Sequence, residues 1–313
     1  MPFKTLSSAR KLQDLGSEVS AAAYLSNPGH VAVLGRDPAR LALFPTTGTG
    51  GKVTNVDLEG AAAVALLSRD VAVVRTADDA VWTLSDILHS AKVDQVARDC
   101  RALCPNPAGT KALALSWDGG GVELTLDRND VESRWFPIRG SIRACDLTET
   151  ETFTVVDGDD GGQVRVHPGS TPEPGASLRC NLPAEAATFD RIRGGARLSV
   201  VFKPGHTTVC VLMGGPHRLA ARLVELPQPA IDLAVVDTSL VAVFPDGRAA
   251  LFDSEAVLTA MENGALTPRH SISLGLSAEP TVLVATSRGG PSIWVGSSAG
   301  EISSAALVRK SGM

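Results

Sequence analysis

The sequence predicts an all-β fold, a seven-bladed β-propeller of four-stranded blades. Three observations predict it. A strand–turn–strand tile recurs seven times along the 313 residues, a small-residue apolar strand stands before each tile, and a more alternating strand follows most of them. Repeat folds reach this length as one unit, and self-similarity outranks finer patterns because it decides the architecture.

The tile is clearest in "LVAVFPDGRAALFD", Leu240 to Asp253. Two short apolar runs flank Pro-Asp-Gly, and Asp-Gly tolerates the backbone angles of a tight turn. In chain order the tiles open at Val31, Val71, Ala112, Thr152, Leu198, Leu240 and Ser292, so successive starts are 40, 41, 40, 46, 42 and 52 residues apart. The preceding strands are "SAAAYL" (20–25), "AAAVALL" (61–67), "SIRACDL" (141–147), "AIDLAVV" (230–236) and "TVLVATS" (281–287). Their alanines suit innermost strands crowded around an axis. The following strands are "VTNVDL" (53–58), "VESRWFPI" (131–138), "ASLRCNL" (176–182), "LAARLVEL" (219–226) and "HSISLGL" (270–276). Four strands at a period near forty residues define a propeller blade. The reading is one domain over 1–313, with blades starting near 18, 60, 100, 141, 186, 229 and 279.

The seventh unit lacks a fourth strand. "SSARKLQDL" (7–15) supplies one from the N-terminus, so that residues 1–15 complete the last blade and cover an edge that otherwise exposes unpaired backbone groups. The competing reading of this segment is a helix stopped by glycine. Two insertions, "LSDILHSAKVDQVA" (84–97) and "DSEAVLTAMENGAL" (253–266), are expected to be short helices between third and fourth strands. The second has an Asp or Ser N-cap, an apolar stripe at Ala256, Val257 and Ala260, and Gly264 as its stop.

"DGRAALFD" (246–253) resembles the hairpin of a WD40 repeat, with "DGGQVRVHP" (160–168) and "DPARLALFP" (37–45) as degenerate copies. No unit carries that family's Gly-His pair, and only Phe252–Asp253 approximates its terminal dipeptide. The family's Asp-His-Ser/Thr-Trp network therefore does not carry over. The resemblance implies a divergent WD40-like propeller, and such families mostly serve as rigid platforms for protein partners.

Composition narrows the function. The net charge is −5, which does not suit a generic polyanion binder. Hydrophobic residues make up 44%, enough for a large core, yet no apolar run is long enough to cross a bilayer and "MPFKTLSSARKLQDLG" has no h-region of a signal peptide. Five cysteines, Cys100, Cys104, Cys145, Cys180 and Cys210, fit buried thiols in a reducing compartment, so a cytoplasmic location is expected. Scarce lysine and abundant alanine suggest a bacterial source.

Motifs for chemistry are weak. The six histidines form no i, i+4 pair, and no Cys pair has zinc spacing with a partner. "DGDDGG" (157–162) breaks the calcium-loop pattern at Gly161. There is no nucleophile elbow and no phosphate-binding glycine loop. No cofactor, metal or catalytic residue is expected. One enzymatic alternative survives, a lactonase-like propeller hydrolase with a channel metal held by first-strand aspartates such as Asp146, Asp190 and Asp232.

Arginines suggest binding. Arg191, Arg193 and Arg197 in "DRIRGGAR" form a candidate anion or nucleic-acid site, since arginine reads carboxylate and phosphate bidentately. Few aromatics accompany them, which disfavours base stacking and hence nucleic acid. The turns between second and third strands share one face of a WD40-like ring with the links between blades. That face would carry Arg36, Asp79, Trp117, Arg139, Lys203, His206 and Asp246, and it is the expected protein-binding surface. The expected function is a non-catalytic interaction scaffold, a subunit of a bacterial multiprotein system.

Overall fold

Short apolar runs separated by turns leave each run's backbone polar groups to be satisfied by its sequence neighbour, which favours antiparallel meanders. A computed structural model describes all residues except 1–2, 4, 48–49, 117–119, 129, 137–141, 149–150, 157–162, 169–173, 180–190, 195–196, 216–217, 288–289 and 310–313. The described residues are all-β. They form six four-stranded sheets and one five-stranded sheet, with a single helix at Ser254–Asn263.

The first sheet comprises Val19–Ser26, Gly29–Gly35, Arg40–Pro45 and Lys52–Asn55. The second comprises Ala61–Leu66, Val71–Thr76, Val81–Ser85 and Lys92–Ala97. The third comprises Cys100–Pro105, Lys111–Ser116, Gly121–Asp127 and Asp130–Phe136. The fourth comprises Ile142–Leu147, Glu151–Val156, Gln163–Pro168 and Ala176–Arg179. The fifth comprises Arg191–Gly194, Leu198–Phe202, His206–Gly215 and Arg218–Ala230. The sixth comprises Asp232–Val236, Ser239–Val243, Arg248–Phe252 and His270–Ser273. Strand order follows chain order in all six.

The seventh sheet joins Pro280–Thr286, Ser292–Ser297 and Glu301–Val308 to the N-terminus. Both Thr5–Leu6 and Arg10–Asp14 pair with Glu301–Val308. The segment expected to supply the missing strand is extended, and the helical alternative is not what forms. Lys11 donates to the Glu301 carboxylate, which also accepts from the Ser277 N–H at 2.6 Å.

A second repeat signature lies below the hairpins. The first strands of five sheets shift register by one residue near their start, between Val19 and Ala21, Ala61 and Ala63, Cys100 and Ala102, Ile142 and Ala144, and Pro280 and Val282. Such bulges bend a strand and increase its twist.

The chain divides into two compact units, one of residues 1–10, 140–275 and 305–313, the other of 11–139 and 276–304. In the second unit, apolar side chains interleave the seventh sheet with the first, the first with the second and the second with the third. Phe44 and Trp294 meet there at 5.4 Å between ring centroids. Gly296 lets the Val19 side chain pack against the glycine backbone, because a Cβ there would run into it. In the first unit the fourth sheet packs on the fifth, and the fifth on the sixth. Each large apolar side chain buried in these layers contributes about 1.5–3 kcal/mol.

The two expected helices part ways. Ser254–Asn263 is helical, capped by Asp253, whose carboxylate accepts from the Ala256 N–H at 3.0 Å, and ended by Gly264 at φ 84°. Val257 and Ala260 are its buried face. Residues 84–97 are not helical. The strand runs on to Ser85, Asp86 turns the chain at φ 56°, and Lys92–Ala97 returns as the fourth strand of the second sheet. The unpaired edge of Val81–Ser85 offered ladder hydrogen bonds along its length, and that outweighed local helix propensity.

Candidate functional site

The turns between second and third strands hold most of the residues singled out by sequence. Arg36 follows Gly35, donates its backbone N–H to the Glu18 carbonyl at 2.9 Å, and has a buried Nε without a partner. Asp79 sits at φ 63° and accepts from Arg75 at 3.0 Å; its carbonyl accepts from the Cys100 N–H at 2.9 Å, tying this turn to the third sheet. Lys203 and His206 bracket one tight turn, where the His206 N–H donates to the Lys203 carbonyl at 3.2 Å. Asp246 is exposed and accepts from the Arg248 N–H at 3.1 Å. Trp117 and Arg139 lie outside the described residues, as does Asp190.

Arg36 and Asp79 adjoin in sequence an open cleft of about 710 Å³. Three segments build it: the turn after the second strand of the first sheet, the link at 56–60, and the turn at 77–78 of the second sheet. The Val56 N–H donates to the Ala39 carbonyl at 3.0 Å and the Ala77 N–H to the Gly60 carbonyl at 2.8 Å, which fixes the three together. Asp37, Asp57, Glu59 and Asp78 line it, and among the described residues no Lys, Arg or His does. The Thr76 hydroxyl donates to Asp78 at 2.5 Å and holds that carboxyl below its ordinary value. Sequence reasoning picked the neighbours of this cleft but not its carboxylates. The signal was present in "VDLEG" and "ADDA", two acidic stretches one hairpin apart.

A second polar group lies on first strands of the first unit. Arg191 and Arg193 lie on the strand Arg191–Gly194, which pairs antiparallel with Leu198–Phe202 as the first arm of a hairpin. Both guanidiniums approach the same Asp232 carboxylate oxygen at 3.4 Å. Asp232 is 0% exposed and also accepts from its own neighbour, the Leu233 N–H, at 2.9 Å. Arg193 donates from Nε to the Leu233 carbonyl at 3.3 Å. Asp146 repeats the motif on the fourth sheet, accepting from the Leu147 N–H at 3.0 Å and reaching the Gly194 N–H at 2.6 Å. Burial pushes the Asp146 carboxyl up to about 6, against the opposing pull of Arg193 and the two N–H donors. Arg197 is exposed, just before the next strand.

Cys100 and Cys210 are buried and not disulfide-bonded, and burial raises the Cys100 thiol to about 11. Cys104 and Cys145 are disulfide-bonded, which corrects the expectation of thiols throughout. Among the described residues no group of three or more His, Cys, Asp or Glu is placed to hold a metal ion, and no helix is long and apolar enough to cross a membrane. Among known proteins, no family model matches the chain and no curated protein is similar enough to count as a match.

Proposed function

We propose that the chain is a divergent, WD40-like seven-bladed propeller acting as a non-catalytic protein-interaction scaffold. The repeated meanders, the recurrent first-strand bulge and the packing of the seventh sheet on the first support the ring. One observation carries the function: the hairpin turns of the first two sheets and the link between them form an open cleft with an apolar floor and outward carboxylates. Concave surfaces with a few polar groups are the default binding sites of rigid folds. The partner is a protein, in a bacterial multiprotein system.

A tagged pull-down from the native host at moderate salt, read by mass spectrometry, tests this. A stoichiometric protein partner supports the scaffold, and a solitary chain overturns it. A cytoplasmic setting stands against the disulfide-bonded state of Cys104 and Cys145, since disulfides persist in oxidising compartments. Thiol counting on freshly lysed cells decides that point. The exposed Arg197 and the 40% exposed Arg191 favour a second reading, an anion site. Steep salt dependence of RNA or DNA binding would support it.

A further inference from the structure

We propose that the cleft beside the turns of the first two sheets binds a short lysine- or arginine-bearing segment of a partner protein. The inference rests on the scaffold reading and names the chemistry of its partner. The floor is apolar: Ala39 and Val56 are almost fully buried, and Leu58 is part-exposed beside them. The rim is anionic. Asp57 and Glu59 are exposed, and no hydrogen-bond or ion-pair partner engages them among the described residues. Asp37 accepts from the Gly60 N–H at 3.2 Å, and the Asp78 carboxyl, which accepts from the Thr76 hydroxyl at 2.5 Å, is lowered by that bond with a smaller pull from Arg98.

Floor and rim together select the occupant. A Lys or Arg side chain lays an aliphatic stem on apolar surface and keeps its charged head among carboxylates. An acidic segment or a nucleic acid is repelled by the same rim. A bare divalent ion needs several oxygens converging at one point, whereas these carboxylates are spread along the cleft and form no metal-holding group. Its volume of about 710 Å³ fits a few residues of extended chain rather than a single ion.

The test uses the full chain and a fluorescein-labelled alternating Lys-Ala peptide, read by anisotropy at low salt, with a Glu-Ala peptide as control. The Lys-Ala peptide binds and the control does not. Asp57→Asn with Glu59→Gln weakens binding about fivefold and flattens its salt dependence, while the melting curve stays in place. Leu58→Ser weakens binding without changing the salt dependence. Equal peptide binding by the double variant overturns the proposal. So does saturable binding of calcium chloride alone that displaces the peptide and is lost in the double variant. If the double variant retains the native partner in the pull-down, the cleft assignment fails and the scaffold stands. If the wild-type chain recovers no partner while the peptide still binds the cleft, the scaffold fails and the cleft stands.

Discussion

The cleft at 37–39, 56–60 and 77–78 and the cluster at Asp146, Arg191, Arg193 and Asp232 use charge in opposite ways. In the cleft, Asp57 and Glu59 face solvent and, among the described residues, no cation lines the walls. In the cluster, the Asp232 carboxylate is fully buried and two arginines of one strand converge on it. Charges that neutralise one another inside a fold hold strands in register; charges left unneutralised on a concave surface are available to something else. Removing one member of the cluster strands its partners in low dielectric, whereas removing Asp57 or Glu59 from the cleft takes away only what a partner could use.

Four experiments sharpen that contrast, from the largest expected effect on stability to the smallest. Deleting residues 1–15 removes Phe3, Leu6 and Leu15, all buried, and uncovers Glu301–Val308. The loss is about 5 kcal/mol or more, seen as a sharp fall in melting temperature. An unchanged curve would show that the N-terminal pairing is dispensable. Next, Asp232→Ala leaves Arg193 without its carboxylate and costs about 3 kcal/mol in chemical denaturation. A cost near zero would place the cluster among the ornamental surface ion pairs.

The third experiment is a pH series. Asp146 rises from an ordinary 3.8 to about 6 in the folded chain, so the native state binds more protons than the unfolded one across that window. Its contribution is fully present below about 4 and is lost as pH climbs through 6. Glu301 behaves oppositely, lowered from 4.5 to about 2, chiefly by Lys11 and the Ser277 N–H. Its contribution is present above about 4.5 and is lost as pH falls through 2. Asp146→Asn flattens the slope of stability between about 4 and 6; an unaltered slope would assign that titration to another group. Last, Asp57→Asn with Glu59→Gln shifts stability by no more than about 0.5 kcal/mol, since both are solvent-facing. A large loss would mean that the cleft carboxylates hold the fold and are not free for a partner.

Much of the architecture was legible. The Asp-Gly turn at 246–247 and the apolar runs around it announce a hairpin because glycine at φ 73° and an Asp side chain bonded two residues on are local requirements. The helix at Ser254–Asn263 was equally local, since both its caps stand in the sequence. Residues 84–97 misled because helix propensity there is real, and only a neighbouring strand edge made extension better. Arg193 read as a candidate anion contact because its partner, Asp232, lies 39 residues on.

The sequence by itself determined the repeat, the strand periodicity and the turns, all of which depend on residues within one unit of about forty. Tertiary structure decided which charges meet. Asp232 becomes a buried counter-ion because the fifth and sixth sheets bring their first strands together, and Asp57 stays outward with no ion-pair partner among the described residues. Local patterns are set by backbone sterics and side-chain alternation over a few residues. Ion pairing acts across space at about 4 Å, and which residues come that close is settled only when the sheets pack.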